Sequence, residues 1–209
     1  MPNNDNNQHA KENIKEKKLI YHLTSLRNMN SILSIGLQPR SYLKDKVGFF
    51  DIANKDIIKD RQEDGLDGYI PFHWFSSNPF DGQVQKNHPN EDFVLITVRR
   101  SLAKEKNWLI LTQHPLSNKN IKPMSYAEGF EKINWELMNQ RNYHQPDCKN
   151  VCMAECLSPE AVAAEDFFRI YVKNNQVANK VWNIAQELDL KELEIEANPN
   201  MFYKCATPT

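Results

Sequence analysis

Residues Lys17–Arg40 read "KKLIYHLTSLRNMNSILSIGLQPR". The opening "KKLIYHLT" alternates enough to predict a strand ending at His22–Thr24. Ser25 then stands where a helix cap belongs. Leu26, Met29, Ile32 and Leu33 recur at helical spacing, and Gly36 ends the run. A strand that passes straight into a helix through a polar His-Leu-Thr junction points to a mixed α and β domain.

Working outward, the same alternation of elements continues. "FVLITVRR" (93–100) is the least ambiguous strand, and "SLAKEKNWLILTQHPL" (101–116) predicts a short helix followed by the strand "WLILT". A short helix is expected around Ile52–Arg61. "YIPFHWFS" (69–76) is β-prone, with Pro71 arguing for a sheet edge. "NPFDGQVQKNHPNED" (78–92) reads as a loop, and "YAEGFEKINWELMNQRN" (126–142) has helical spacing. "VCMAECL" (151–157) and "FFRIYV" (167–172) predict strands, "QVANKVWNIAQEL" (176–188) a helix, and "FYKC" (202–205) a strand closing the sheet. The expected class is α+β.

The chain has 209 residues, enough for one domain with a real core. Residues 1–17 are polar and expected to be a mobile tail, leaving 18–209 as the folded domain. No apolar run approaches a membrane span of roughly 20 residues, and the N-terminus lacks a signal-peptide core. Four cysteines without such a signal suggest reduced thiols and a cytoplasmic setting. The net charge of −1 does not announce a nucleic-acid binder. It hides an asymmetry, however. Lys11–Lys46 holds eight Lys/Arg against three Asp/Glu, and Phe93–Lys122 holds six against one. Charge segregated in this way can guide a polyanion.

Several residues can carry chemistry. Glu155 falls in an apolar register, "VCMAECL", where a carboxylate is costly unless paired or used. It is either half of a structural ion pair, with Arg99 or Arg141, or a catalytic group held by a strand. Arg61, in "IIKDRQEDG", is either a solvated cation or one that holds a phosphate or developing anion. "YHLTS" offers hydrogen-bonding groups beside a helix start, a place that suits a nucleotide. The C-x3-C-x3-C spacing of Cys148, Cys152 and Cys156 fits neither zinc knuckles nor iron–sulfur runs, so these read as small core residues and no metal is expected. In the aromatic cluster from Tyr69 to Phe80, some rings belong to the core and others can stack on a base.

Taken in order, "YHLTSLRNMNSILSIGL", an Arg ahead of "LDGYIPFHWF", then "NPF", "FVLITV" and "MAECL" resemble the DarT family over about Lys18–Val172. DarT proteins are bacterial NAD-dependent DNA ADP-ribosyltransferase toxins paired with a macrodomain antitoxin. The resemblance implies a single-domain ADP-ribosyltransferase fold on a split mixed β-sheet flanked by helices. It implies NAD as co-substrate, with His22, Leu23, Thr24, Ser31, Gly36 and Tyr69 around it, and Glu155 and Arg61 as catalytic residues. The segment "QEDGLDGYIPFHWF" is shorter than the family's often Gly-rich loop. The acceptor would be thymine or guanine of single-stranded DNA, and the consequence a block of replication. Candidate DNA contacts are Trp74, Lys119, Lys122, Tyr126, Arg141 and Tyr143. A monomer is expected, since nothing demands a dimer. Two other readings stay open: an ADP-ribosyltransferase or NAD hydrolase acting on RNA, protein or a small molecule, and a non-catalytic module that binds NAD or nucleic acid.

Overall fold

The computed structural model describes residues 13–43, 49–52, 55–117 and 121–203. Strand β1 (Leu19–Ser25) leads through a single 3-10 turn into α1 (Met29–Ile35), followed by α2 (Arg40–Leu43) and α3 (Lys55–Glu63). Next come β2 (Ile70–His73), α4 (Pro79–Asn87), β3 (Phe93–Arg99), α5 (Arg100–Glu105) and β4 (Leu109–Leu111). Three helices, α6 (Tyr126–Lys132), α7 (Trp135–Gln140) and α8 (Pro146–Val151), precede β5 (Glu155–Ser158). The chain continues with β6 (Arg169–Val172), α9 (Asn175–Glu187) and β7 (Ile195–Ala197).

The strands make one seven-stranded sheet in the order β4-β5-β2-β1-β3-β6-β7. All neighbours are antiparallel except β6 and β7, so the sheet is mixed. Alternation along β1 sends Ile20 into the larger core, with Phe72, Val94, Ile96 and the buried residues of α1 and α9. Tyr21 and Leu23 face the other way, packing with Phe93, Leu95, Val84 of α4 and Phe202.

The central strands do not zip fully. β1 and β3 pair along seven residues, from Leu19↔Arg99 to Ser25↔Phe93, whereas β1 and β2 share the single register pair Tyr21↔His73 among the described residues. Beyond that pair the sheet opens, and this split positions the site.

Pro71 lies inside the sheet and not at its edge, because β2 runs between β5 and β1. The carbonyl of Pro71 takes a hydrogen bond from His22 Nδ1 at 2.8 Å. The nitrogen and carbonyl of one strand residue point the same way, so the missing N–H faces the split, where no ladder bond is required.

Other expectations need correction. Residues 79–87 form α4: Asn78 caps it by accepting from Asp81 N, and Pro79 occupies the first turn. Asp81 is buried, and its Oδ2 accepts from Asn78 Nδ2 at 2.7 Å. The strand expected over 151–157 begins only at Glu155, since Pro146 starts a helix that runs to Val151. Cys152 therefore leaves the strand register, and the thiols of Cys148 and Cys152 donate to the carbonyls of Leu137 and Met138. The sheet closes on Ile195–Ala197, while Phe202 packs into the second core; Lys204 and Cys205 lie outside the described residues. Ile14 is fully buried and its N–H donates to Asn139 Oδ1, so packed structure reaches into the segment read as a tail.

Candidate active site

A cavity of about 530 Å³ occupies the split between β1 and β2. Every residue assigned to NAD or to catalysis lines it. His22, Leu23 and Thr24 come from β1, Ser31 from α1, Gly36 from its end, Arg61 from α3, Tyr69 from the approach to β2, and Glu155 from the start of β5. The volume falls within the usual range for small-molecule sites.

Arg61 and Glu155 form an ion pair at the cavity wall. Arg61 Nη1 donates to both carboxylate oxygens, at 2.9 and 2.8 Å. The side chains are only 13% and 7% exposed, so water screens the pair weakly. Arg61 Nη2 is buried and has no hydrogen-bond partner among the described residues. A buried guanidinium donor without a partner is unusual. The partner of Glu155 is thus Arg61; Arg99 instead stacks on Phe168 and Arg141 on Phe75.

Three histidines also line the cavity. Burial pushes the His22 imidazole down to about 4, against a smaller upward pull from the Pro71 carbonyl. His22 is therefore neutral near pH 7. Its Nδ1 donates to Pro71, which leaves Nε2 as an acceptor. His73 sits opposite Glu155 in the β2–β5 register, and His114 follows β4. Burial lowers the pKa of both, with Glu155 pulling the other way. Sequence reasoning missed these two as site residues. The one available signal for His73 was its place in a strand beside aromatics, which is also what a core residue shows.

Asn28 shapes the cavity from behind Thr24. Its amide donates to Thr24 Oγ1 at 3.1 Å and to Phe50 O at 2.9 Å, while its carbonyl accepts from Phe50 N at 2.8 Å. Arg27 lies 4.5 Å above the Phe50 ring and pairs with Glu91 at 3.0 Å. Segment 49–52 is thereby held against β1 and α1.

The DNA-contact candidates fare differently. Trp74 is 1% exposed and packs edge-on against Trp135, and Tyr126 is 5% exposed and stacks on Phe130. Both are core residues and not contacts at the cavity, because their aromatic area is used up between β2, α6 and α7. Lys122 is exposed, and Tyr143 is partly exposed with its hydroxyl near Ser77 O. Arg141 is half-buried, and Lys119 lies outside the described residues. Of the described candidates, Lys122, Arg141 and Tyr143 do not line the cavity. Among the described residues no three His, Cys, Asp or Glu side chains converge to hold a metal ion.

Among solved structures the fold is similar to Thermus sp. 2.9 DarT in complex with ADP-ribosylated ssDNA. The TM-score is 0.75 at 17% identity, covering 89% of this chain and 96% of that one. It is also similar to Thermus sp. 2.9 DarT in complex with NAD+, with a TM-score of 0.71 at 16% identity over 90% and 98% of the two chains. Thermosipho africanus DarTG in complex with ADP-ribose gives 0.69 at 18% identity, over 89% of this chain and 51% of that one. No curated protein matches the chain. The family model described as "ssDNA thymidine ADP-ribosyltransferase, DarT" matches residues 21–203, a span that contains the whole cavity lining. The chain belongs to the DarT family of NAD-dependent single-stranded DNA ADP-ribosyltransferases.

Proposed function

We propose that this chain transfers ADP-ribose from NAD to thymine in single-stranded DNA, with Glu155 and Arg61 as its catalytic residues. The observation that carries this reading is the buried Arg61–Glu155 pair beside a neutral His22 at the wall of the cavity. The thymidine named in the description of the matching family supports thymine over guanine.

NAD brings a ribose carbon, C1″, whose bond to nicotinamide breaks as its bond to the base nitrogen forms. His22 Nε2 accepts a hydrogen bond from the substrate, and its neutral state lets it do so without repelling positive charge at the ribose. Glu155 stabilises that charge electrostatically. A thymine N3–H is a weak nucleophile until its proton leaves, and Glu155 is the base that takes it. Arg61 orients the carboxylate and offsets the negative charge of the deprotonated ring. Preorganised charges of this kind contribute on the order of 3–4 kcal/mol each.

The remaining parts of the reading follow from this activity. Modified template bases block replication, so the protein acts as a toxin and needs a neutralising partner. The likeness to Thermosipho africanus DarTG supports a macrodomain-type antitoxin. A cytoplasmic monomer with a single catalytic domain completes it. No helix among the described residues is long and apolar enough to cross a membrane.

The test is transfer of label from NAD to short single-stranded oligonucleotides that each lack one base. Loss of labelling only when thymine is absent is the expected result. Labelling that persists without thymine would sink the base assignment, and nicotinamide release without any transfer would indicate an NAD hydrolase.

A further inference from the structure

A second concavity, of about 490 Å³, lies away from the NAD cavity and shares no lining residue with it. Six cations line it: Lys15, Lys17, Lys18, Arg99, Arg100 and Lys104. The one acid in its lining, Glu131, is already paired with Lys15 at 3.6 Å. Three of the cations belong to the first basic segment of the sequence and three to the second. The β1–β3 ladder joins them, since Leu19 pairs with Arg99 and Arg100 N donates to Lys18 O at 2.8 Å.

Two further features give the groove the character of a built site. Arg100 is 6% exposed, and its guanidinium donates to the carbonyls of Lys15, Leu19 and Trp74, with no carboxylate among these partners. It fixes the Lys15–Lys18 segment and places a buried positive charge under the groove floor. Burial lowers its pKa to about 10, which still leaves it charged at neutral pH. Beside it, Tyr126 and Phe130 line the groove as a near-parallel ring pair, 5.8 Å apart and 13° from coplanar. A cationic channel of this kind tracks the backbone of single-stranded nucleic acid without reading its sequence, and the two rings serve as its packed wall and not as stacking platforms.

We propose that this groove binds the phosphate backbone of the acceptor DNA strand beyond the modified base. The inference rests on single-stranded DNA being the acceptor. From Lys18 to His22 the strand β1 advances roughly 13 Å, a reach that one DNA strand spans in a few nucleotides. Strands long enough to fill both places bind more tightly than strands that reach only the NAD cavity.

The experiment compares transfer to oligonucleotides of about 5 and about 20 nucleotides, using the whole chain and the variant Lys18→Glu/Lys104→Glu. Both side chains are exposed, so the fold tolerates the changes, and KM for NAD serves as the control. The wild type should show a lower KM for the long strand. The variant should raise that KM about tenfold and flatten its log–log salt dependence by about 1.4, the slope of two phosphate contacts. Its kcat, its KM for NAD and its KM for the short strand should stay as in wild type. Equal KM values for the two lengths in wild type, or an unchanged length preference in the variant, would overturn the groove while leaving the transferase intact. Transfer to neither strand by wild type would remove DNA as the acceptor, and the groove's role with it.

Discussion

At the residue scale, the chemistry of the site depends on one ion pair that is difficult to replace piecemeal. Arg61 spends a single nitrogen on both oxygens of Glu155. Removing the arginine leaves a poorly solvated carboxylate, and breaking a buried pair from one side costs about 3–5 kcal/mol, less where a cavity admits water. Arg61→Ala should therefore lower the melting temperature more than the double variant Arg61→Ala/Glu155→Ala, in which the stranded charge is gone. Glu155→Gln tests chemistry apart from stability. A glutamine oxygen still accepts from Arg61, so the fold should survive, while transfer to DNA should fall by at least about 100-fold. Equal thermal shifts for the single and double arginine variants, or a Glu155→Gln enzyme of normal activity, would contradict the roles assigned here.

At the scale of elements, Gly36 at the end of α1 lines the cavity between β1 and β2. Gly36 has φ +81°, and a Cβ there would lie 2.8 Å from the carbonyl oxygen of Val162. That same oxygen receives Leu37 N at 2.8 Å, and Val162 N returns a bond to Leu37 O at 2.9 Å. Gly36→Ala should destabilise by about 1–3 kcal/mol through strain and displacement of this bridge. It should also raise KM for NAD, which denaturant titration and steady-state kinetics would check together. The elements that could be read from sequence are those whose pattern is local: β1, α1, β3 and α9 each carry a clear period, and Gly36 punctuates the right place. The failures have physical causes. An Asn-Pro pair opened α4 where the segment read as a loop, because the same residues serve caps and loops. Pro71 looked like an edge signal because the split that excuses it arises only when β1 and β2 diverge in three dimensions. Of the site, Glu155, Arg61 and the His-Leu-Thr junction were legible as candidates through their family context, but the ion pair between the first two was not. His73 and His114 were not, since nothing in one sequence says that a strand residue and a loop residue will meet the same carboxylate.

For the whole molecule, buried ionisable groups give stability a two-sided dependence on pH. His22 titrates near 4 when folded, against 6.5 for an unperturbed imidazole. Between those values the unfolded chain binds more protons, so the stability that His22 contributes is complete above 6.5 and is lost as pH falls toward 4. Asp81 acts in the opposite direction. Burial raises its carboxyl from 3.8 to about 8, so the folded state holds a proton that the unfolded state has released. Stability from this group is full below 3.8 and is lost as pH rises to about 8. Asp81→Asn keeps an oxygen to accept from Asn78 Nδ2 and cannot ionise. Its melting temperature should exceed that of wild type by a margin that widens as pH approaches 8 and then stays constant. A margin independent of pH would show that Asp81 does not titrate in this range.

The aromatic packing beneath the basic groove also makes the protein its own optical reporter. Of the four tryptophans, Trp74 and Trp108 are 1% exposed and Trp135 is 7% exposed, while Trp182 on α9 is 39% exposed. A collisional quencher in solution will therefore extinguish Trp182 and leave the others bright. With Trp182→Phe, the emission that remains comes from the interior, where the Arg100 guanidinium sits 4.9 Å from the Trp74 ring. Phosphate held in the proposed groove, above that guanidinium, should change the field across the indole, so a spectral shift on adding DNA would report occupancy with no label attached to protein or DNA.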